Sequence, residues 1–498
     1  MGSPHMTRAV RKRNLWPLTW PDMRGHDRRM NATPRQTTVK RRQRIGIIWL
    51  LSAVLTLAAA YTGYRLYLAH KVKVKIGQIR QAGFPVTTAE LNQWYPAVPP
   101  EKNAAFTLTN AFGHLVNVNT NTTNLPIISR GKLPPPNDPL PPEMRQAIAD
   151  YVATNQVALE LLEKGLALKS CRYPVDFTPG WDALLPHLAG LRKSAQLLAL
   201  KALSDIDNDE PSDAAKALQS MLTLADTVAK EPLLISHLVR MACYQLSYQC
   251  LERALCNMTL DHDSLLHLSS IYHDMETSDG LQRSLVAERC VALQSFSGSF
   301  KEIERLLEGG GESDSHGFGV AFGFWIIQVS GRWDFDELYY LDCMERYSQA
   351  IQLILPERID AAEEVSDQIQ AMKGSKYPHV LSGLFLPAIG KSIQKDAGNI
   401  ARLRAARTVL AIELYRLANH RQLPSTLNEL VPEVLMAVPA DPFDGEPLRY
   451  RRLDKGYVVY SVGPDGEDNG GAEEKRLSNA QRLAGISESS DITFTVER

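Results

Sequence analysis

Four side chains that could bind a metal or exchange protons lie within one short segment of the chain. His262, His267, His273 and Asp274 belong to the run DHDSLLHLSSIYHD, whose apolar residues recur at helical spacing. A helical zinc-protease site needs two histidines four residues apart, because that spacing places both on one face. His262 and His267 are five residues apart, which is about 500° of helical rotation. The spacing therefore predicts surface histidines and not a zinc site.

Other patterns associated with catalysis are incomplete. The serines of segments 297–299 and 382–383 lack the Gly-x-Ser-x-Gly spacing of a nucleophile elbow. The glycine-rich segment 309–323 has no preceding strand and no Gly-Lys-Ser/Thr, so it predicts a mobile loop and not a phosphate-binding loop. The carboxylates of segment 357–370 have the spacing of a solvated helix face. We find no nucleophile–base pair and predict no catalytic residue.

The six cysteines do not form a metal or redox motif, because none belongs to a Cys-x-x-Cys pair. Cys243 and Cys250 are seven residues apart on a predicted helix and share one face. Small apolar core residues are one interpretation of these cysteines. In an oxidising compartment, each could instead form a disulfide with another helix.

The last hundred residues contain turn and strand signals that the preceding segment lacks. A helix is predicted over 399–417, and Asp-Pro-Phe-Asp-Gly at 441–445 is a strong turn. Segments 448–451 and 457–461 alternate in the manner of antiparallel strands, and 491–496 is the third candidate strand. This order predicts a small α+β region with a short antiparallel sheet.

The motifs of this region together resemble the globular domain of the major pseudopilins of type II secretion. They are Leu-Pro-Ser-Thr-Leu-x-x-Leu at 423–430, Pro-x-Asp-Pro-Phe-x-Gly-x-Pro-Leu-x-Tyr at 439–450, Tyr-Ser-Val-Gly-Pro-Asp-Gly at 460–466 and a late Asp491. The resemblance covers residues 399–498. It also extends loosely to membrane-anchored proteins of planctomycete-type bacteria, in which a helical body is followed by such a terminal motif.

The pseudopilin resemblance implies a calcium ion that orders the last loop against the sheet. Carried over by position, the carboxylates of Asp465, Asp468 and Asp491 and the backbone carbonyl of Val462 are the ligands. Carboxylate and carbonyl oxygens are the donors that calcium prefers. Segment 473–490 is longer and more polar than the pseudopilin loop. The alternative is a solvated acidic turn without an ion.

Two pseudopilin features are absent from the sequence. The N-terminal apolar segment lacks the Gly-Phe-Thr-Leu-x-Glu processing motif, and about 330 residues separate that segment from the pilin-like end. We therefore expect no processing by a prepilin peptidase. The chain is not expected to be a filament subunit.

The remaining elements predict a mainly α protein. Helical periodicity runs from residue 143 to about 417, and short polar or Pro-containing turns suggest a hairpin or bundle domain with solenoid-like packing. No fixed repeat length is present. The predicted organisation is a disordered basic tail at 1–44, a transmembrane anchor at 45–69, a Pro-rich connector with short helices at 70–142, an all-α domain at 143–398 and the pseudopilin-like domain at 399–498.

Residues 45–64 form an uncharged run long enough to cross a bilayer as a helix. Residues 1–44 contain twelve basic and two acidic side chains, so their net charge is about +10 and that of the remainder about −11. The positive-inside rule places this tail in the cytoplasm and residues 70–498 outside it. A signal peptide cleaved after the Ala-Ala-Ala of 58–60 is the alternative.

These patterns predict a single-pass protein of the inner membrane whose C-terminal domains are extracytoplasmic. A non-enzymatic scaffold or interaction protein of the bacterial cell envelope, associated with secretion, is the leading hypothesis. Its partners would be the membrane and other envelope proteins. Nucleic acid is not expected, because no basic, aromatic-interleaved surface follows the tail. The alternative is an envelope hydrolase with a site in the helical domain.

Overall fold

The protein is mainly helical, and a small antiparallel sheet lies near its C-terminus. The structure is a computed structural model that describes residues 35–116, 124–298, 303, 330–372, 379–471 and 491–498. The described helices are α1 (Arg35–Gln81), α2 (Thr88–Trp94), α3 (Ala104–Gly113), α4 (Pro142–Thr154), α5 (Gln156–Leu166), α6 (Pro186–Asp207), α7 (Pro211–Asp226), α8 (Leu234–Asn257), α9 (His262–Glu276), α10 (Gly280–Phe296), α11 (Arg332–Ala350), α12 (Glu357–Ala371) and α13 (Val380–Ala418). The predictions of a mainly α chain and of a short antiparallel sheet are confirmed.

Helix α1 is the described helix that is long and apolar enough to cross a membrane. The apolar side chains of its segment 45–64 are exposed, including Trp49 and Leu50 at 72% and 65%. The helix is longer than the apolar run because the basic residues before it and the mixed residues after it are good helix formers. It ends where Gly83 adopts a left-handed conformation and donates its N–H to the carbonyl of Arg80.

The described residues from 65 onward form one compact unit, and the described residues before 65 belong to a separate one. In the compact unit, α6, α7 and α8 pack consecutively against one another. Asp209, in a left-handed conformation, turns the chain between α6 and α7, and Pro211 begins α7 where no N–H is required. Leu191 of α6, Leu218 of α7 and Leu251 of α8 are fully buried in the shared core.

The sheet has the strand order β1 (Arg449–Leu453), β2 (Gly456–Ser461), β3 (Ile492–Glu497), and both pairs are antiparallel. Gly456 pairs with Glu497, and a Cβ at position 456 would lie 1.8 Å from the carbonyl oxygen of Val496. Only glycine permits this approach. The three predicted strands are thus confirmed with shifts of one or two residues.

Helix α8 covers the outer edge of β3 with hydrogen-bonding side chains. Tyr248 donates its hydroxyl to the carbonyl of Thr493 at 2.6 Å, and Glu252 accepts the N–H of Thr495 at 2.7 Å. The Cys256 thiol lies 3.6 Å from the carbonyl oxygen of Thr495. Backbone groups that an edge strand would leave unpaired are therefore satisfied by the helical body.

The predicted domain boundary at 398/399 falls inside the 39-residue helix α13. The C-terminal half of this helix packs on β2 and β3, and Val409, Val459 and Phe494 share one core with α6 to α8. The C-terminal region therefore shares its core with the helical body.

Candidate functional site

Asp441 organises the Pro-x-Asp-Pro-Phe-x-Gly motif from a fully buried position. Its carboxylate accepts the N–H groups of Phe443 and Val462 at 3.0 and 2.8 Å. It also accepts the Ser461 hydroxyl at 2.7 Å and lies 2.8 Å from a guanidinium nitrogen of Arg449. These donors satisfy the oxygens of the buried carboxylate, which would otherwise destabilise the fold. The motif therefore fastens the 441–445 turn to the end of β2.

The acidic turn that follows β2 is held by its own carboxylates. Asp465 accepts the N–H of Glu467 at 3.2 Å, and Asp468 accepts that of Gly470 at 2.9 Å. Asp491 accepts the N–H groups of Asn469 and Gly471 at 3.2 and 2.6 Å. Asp468 and Asp491 thus bind consecutive amides of segment 469–471.

This turn covers the outward face of β2. Gly471 has φ +75°, and a Cβ there would lie 3.0 Å from the ring of Tyr460 and 3.2 Å from Val458. Burial, together with the negative charges of Asp468 and Asp491, raises the pKa of Tyr460 to about 12. The turn and Asp491 therefore form one unit with the sheet.

The four predicted calcium ligands are only partly brought together. Asp468 and Asp491 share one stretch of backbone, and Oδ2 of Asp465 is buried with no hydrogen-bond partner among the described residues. Val462 is buried and donates its N–H to Asp441. In the described part of the chain, no three His, Cys, Asp or Glu side chains converge as a metal site. The oxygen donors fit a hard cation in type, but two carboxylates fall short of the six to eight ligands that calcium takes.

The histidines of the segment 262–273 and the neighbouring Asp274 lie at the surface. His262, His267, His273 and Asp274 are all exposed on α9, so the prediction of surface histidines is confirmed. The carboxylates of α12 are exposed as well. All six cysteines are described and unpaired by disulfides, and five of them are buried. Burial raises the pKa of Cys243, Cys250 and Cys290 to about 12, so these thiols are unreactive.

Three buried histidine–carboxylate pairs were not predicted from the sequence. His187 lies 2.9 Å from Glu231, His237 lies 3.0 Å from Asp396, and His379 lies 3.4 Å from Asp336. The partners in each pair come from different elements and are at least 43 positions apart in the chain. No local motif signals such a contact.

The Glu231 cluster has the composition of a catalytic triad but the wrong connectivity. In a serine hydrolase, the histidine stands between the hydroxyl and the carboxylate so that it can accept the hydroxyl proton. Here Glu231 stands in the middle and binds both His187 and the hydroxyl of Ser236. Ser236 is fully buried, and His187 stacks on Tyr173 at 4.3 Å. This cluster is therefore a buried polar group of the core and not a catalytic triad.

The Asp336 pair stabilises the start of α13. One oxygen of Asp336 accepts the N–H of Leu381 at 2.9 Å, which satisfies an orphan donor of the first helical turn. His379 stacks between the rings of Phe335 and Tyr339. The contacts of Asp336 and His379 therefore support the start of α13.

The third pair lines an open cavity of about 490 Å³, which we call the arginine cavity. It lies between α8, α9, α12, α13 and segment 351–355. Asp396 accepts from His237 and also lies 3.8 Å from Arg358. The charged and imidazole side chains that line it are His237, Arg240, Glu276, Asp279, Arg358, Asp396 and Arg404.

No family model, curated protein or solved structure matches this chain.

Proposed function

We propose that this protein is a single-pass, membrane-anchored scaffold or interaction protein of the bacterial cell envelope. The observation that carries the proposal is the contrast between the two units. The described apolar side chains of α1 up to residue 64 are exposed, whereas the described residues from 65 onward contain extended buried apolar cores. An uncharged, exposed apolar helix of this length is stable in a bilayer and not in water.

The orientation follows from the charge of the N-terminal tail. Its excess of about ten positive charges favours a cytoplasmic N-terminus and an extracytoplasmic body. The six unpaired thiols are compatible with this placement because burial protects most of them from oxidation.

Two measurements on native membranes test the anchor and the orientation. Alkaline carbonate should leave the full-length protein in the membrane pellet, and release into the supernatant would contradict the anchor. Protease added to spheroplasts should digest the body but leave a short N-terminal fragment in the membrane. Full protection of the body would reverse the orientation.

The scaffold proposal includes calcium binding by the acidic turn and a partner in a secretion assembly, both supported by the pseudopilin resemblance. Asp465, Asp468 and Asp491 would supply carboxylate oxygens, and Val462 a carbonyl. Calcium at 100 times its Kd would add about 2.7 kcal/mol to the stability of the folded state. Thermal unfolding of the detergent-solubilised protein should therefore shift upward with calcium.

Matched variants locate the ion in that experiment. Asp468→Asn should abolish the calcium-dependent shift, whereas Asp454→Asn, exposed in the turn between β1 and β2, should retain it. An equal response of both variants would place any calcium elsewhere.

Cross-linking of intact cells followed by affinity purification identifies the partner. Recovery of the protein without any cross-linked envelope protein would contradict the scaffold.

An envelope hydrolase is the second candidate, and the His237–Asp396 pair in the arginine cavity favours it. A histidine oriented by a carboxylate can act as a general base towards water. Hydrolysis of p-nitrophenyl esters by the parent, lost in His237→Gln, would support this candidate. Equal rates in the two proteins would exclude a role of His237 in such hydrolysis.

A further inference from the structure

We propose that the arginine cavity binds a small oxyanion, a carboxylate or a phosphate, through Arg358 and Arg404. This inference goes beyond the scaffold function and does not depend on the anchor or on calcium. It rests on the state of the cationic side chains in the cavity.

Arg358 has unused hydrogen-bonding capacity. A guanidinium carries five N–H donors. Among the described residues, Nε of Arg358 donates to the carbonyl of Leu353 at 3.2 Å, and the nearest carboxylate, Asp396, is 3.8 Å away. The Arg358 side chain is 22% exposed and lines the cavity. Its remaining N–H donors therefore face the cavity, where water has limited access.

Arg358 also stands next to a second cation. Burial lowers the pKa of Arg358, the charge of Asp396 opposes this effect, and the charge of Arg404 lowers the pKa further. Two guanidinium groups that repel each other across a cavity are stabilised by an anion between them. Arginine forks match carboxylate and phosphate oxygens in geometry.

The lining of the cavity holds three arginines and three carboxylates, and each of these carboxylates already contacts two basic side chains. No carboxylate of the described chain therefore lies at hydrogen-bonding distance from Arg358. The pairs are Glu276 with Arg404 and Arg407, Asp279 with Lys230 and Arg283, and Asp396 with His237 and Arg358. The three carboxylates are thus shared among five arginine and lysine side chains, of which only Arg404 and Arg358 line the cavity. Arg240 has its own acidic partner in Asp226.

Two buried polar atoms of the side chains that line the cavity, Nδ1 of His237 and Nε of Arg240, have no hydrogen-bond partner in the described chain. Neither atom is itself accessible from the cavity. Both side chains are more than nine-tenths buried, at 7% and 2% exposure. Buried polar atoms are rarely left without a partner. At the rim, Leu353 and Ile354 are 43% and 74% exposed, which favours a ligand whose anionic end enters while an apolar part stays outside.

Calorimetric titration of the full-length protein in detergent at low ionic strength tests the proposal. Inorganic phosphate and succinate are the two probes, and chloride at matched ionic strength controls for screening. We expect saturable binding of at least one probe at a single site. The probe that binds with the higher affinity shows whether the natural ligand is a phosphate or a carboxylate. Absence of saturable binding of both at millimolar concentration would overturn the proposal.

Two variants assign the binding to the cavity. Arg358→Gln should weaken binding at least tenfold, whereas Arg346→Gln, an arginine on α11 outside the cavity that pairs with Glu364, should not change it. Equal affinity in the parent and Arg358→Gln would overturn the proposal.

Chemical labelling of the unmodified protein provides a test that does not require a variant to fold. Phenylglyoxal modifies accessible arginines, and peptide mass spectrometry reports each site. The bound probe should reduce labelling of Arg358 several-fold and leave labelling of Arg346 unchanged. Unaltered labelling of Arg358 at saturating probe would contradict the proposal.

Discussion

Tyr248 of α8 donates its hydroxyl to the carbonyl of Thr493 across 2.6 Å, although the two residues are 245 positions apart in the chain. The ring of Tyr248 also packs edge-on against Phe494 at 4.8 Å. This contact joins the middle of the helical body to the last strand. The sheet and the helices are therefore expected to unfold together.

Tyr248→Phe tests this connection. The substitution keeps the ring and leaves the Thr493 carbonyl without its partner, which should cost about 1–3 kcal/mol of unfolding free energy. Urea unfolding followed by circular dichroism measures the loss. Tyr151→Phe is the control, because its hydroxyl makes a longer bond of 3.4 Å at the surface. Equal losses in the two variants, or two separate transitions in the parent, would contradict the connection.

Asp441→Ala is expected to be the most damaging substitution in the C-terminal region. It removes three hydrogen bonds from a fully buried site and leaves Arg449 without one of its acidic partners. Breaking such a buried pair costs about 3–5 kcal/mol. Asp454→Ala, an exposed change in the turn between β1 and β2, should stay within about 0.5 kcal/mol of the parent. Comparable stability of the two variants would refute the organising role of Asp441.

Two Gly→Ala substitutions within helices should have opposite effects. A Cβ at position 190 of α6 would lie 2.5 Å from the ring of Phe112, so Gly190→Ala should destabilise the protein by about 1–3 kcal/mol. At position 383 of α13, no atom of the described chain lies within 4 Å of the added carbon. Gly383→Ala should stabilise it by about 0.5–1 kcal/mol, because alanine reduces the freedom of the unfolded chain. Differential scanning calorimetry distinguishes the signs.

Glu288 predicts a pH dependence of stability. Burial raises its pKa to about 7, and the hydrogen bond from the N–H of Leu234 offsets part of this effect. In the unfolded chain, the carboxyl titrates near its ordinary pKa of about 4.3. The folded state therefore binds more protons between these values. The contribution of protonated Glu288 to the free energy of unfolding is fully present below about pH 4.3. It is lost as the pH rises through about 7.

The corresponding variant is Glu288→Gln, which mimics the protonated carboxyl. Between about pH 5 and pH 8, it should lose about 1–3 kcal/mol less stability than the parent. Glu101→Gln, an exposed control, should follow the parent profile. Unfolding free energies measured in urea at several pH values compare the three proteins. Parallel profiles for Glu288→Gln and the parent would contradict the prediction.

The sequence predicted the elements better than their associations. The apolar run in α1 and the alternation in β1 to β3 are local signals, because each depends on neighbouring residues. The sequence predicts a domain boundary at 398/399, whereas α13 continues through these residues and packs on β2 and β3. Local periodicity does not report that packing.

The candidate sites show the same difference. The turn that contains Asp468 has a sequence signature, so its position beside the sheet could be predicted by resemblance. The arginine cavity has none, since His237, Arg358 and Asp396 come from three helices and meet only in the folded chain. Buried ion pairs between distant segments are determined by topology, which residue spacing does not encode.

The coverage of β3 by α8 restricts how copies of this protein could associate. Strand addition needs a row of free backbone groups, and Tyr248 and Glu252 already bind those of Thr493 and Thr495. The opposite edge belongs to β1, which carries Arg449, Arg451 and Arg452. Pairing of β1 with β1 of a second copy would bring these positive charges together. Growth of a fibre through a continuous sheet is therefore disfavoured at the β1 edge as well as at the β3 edge.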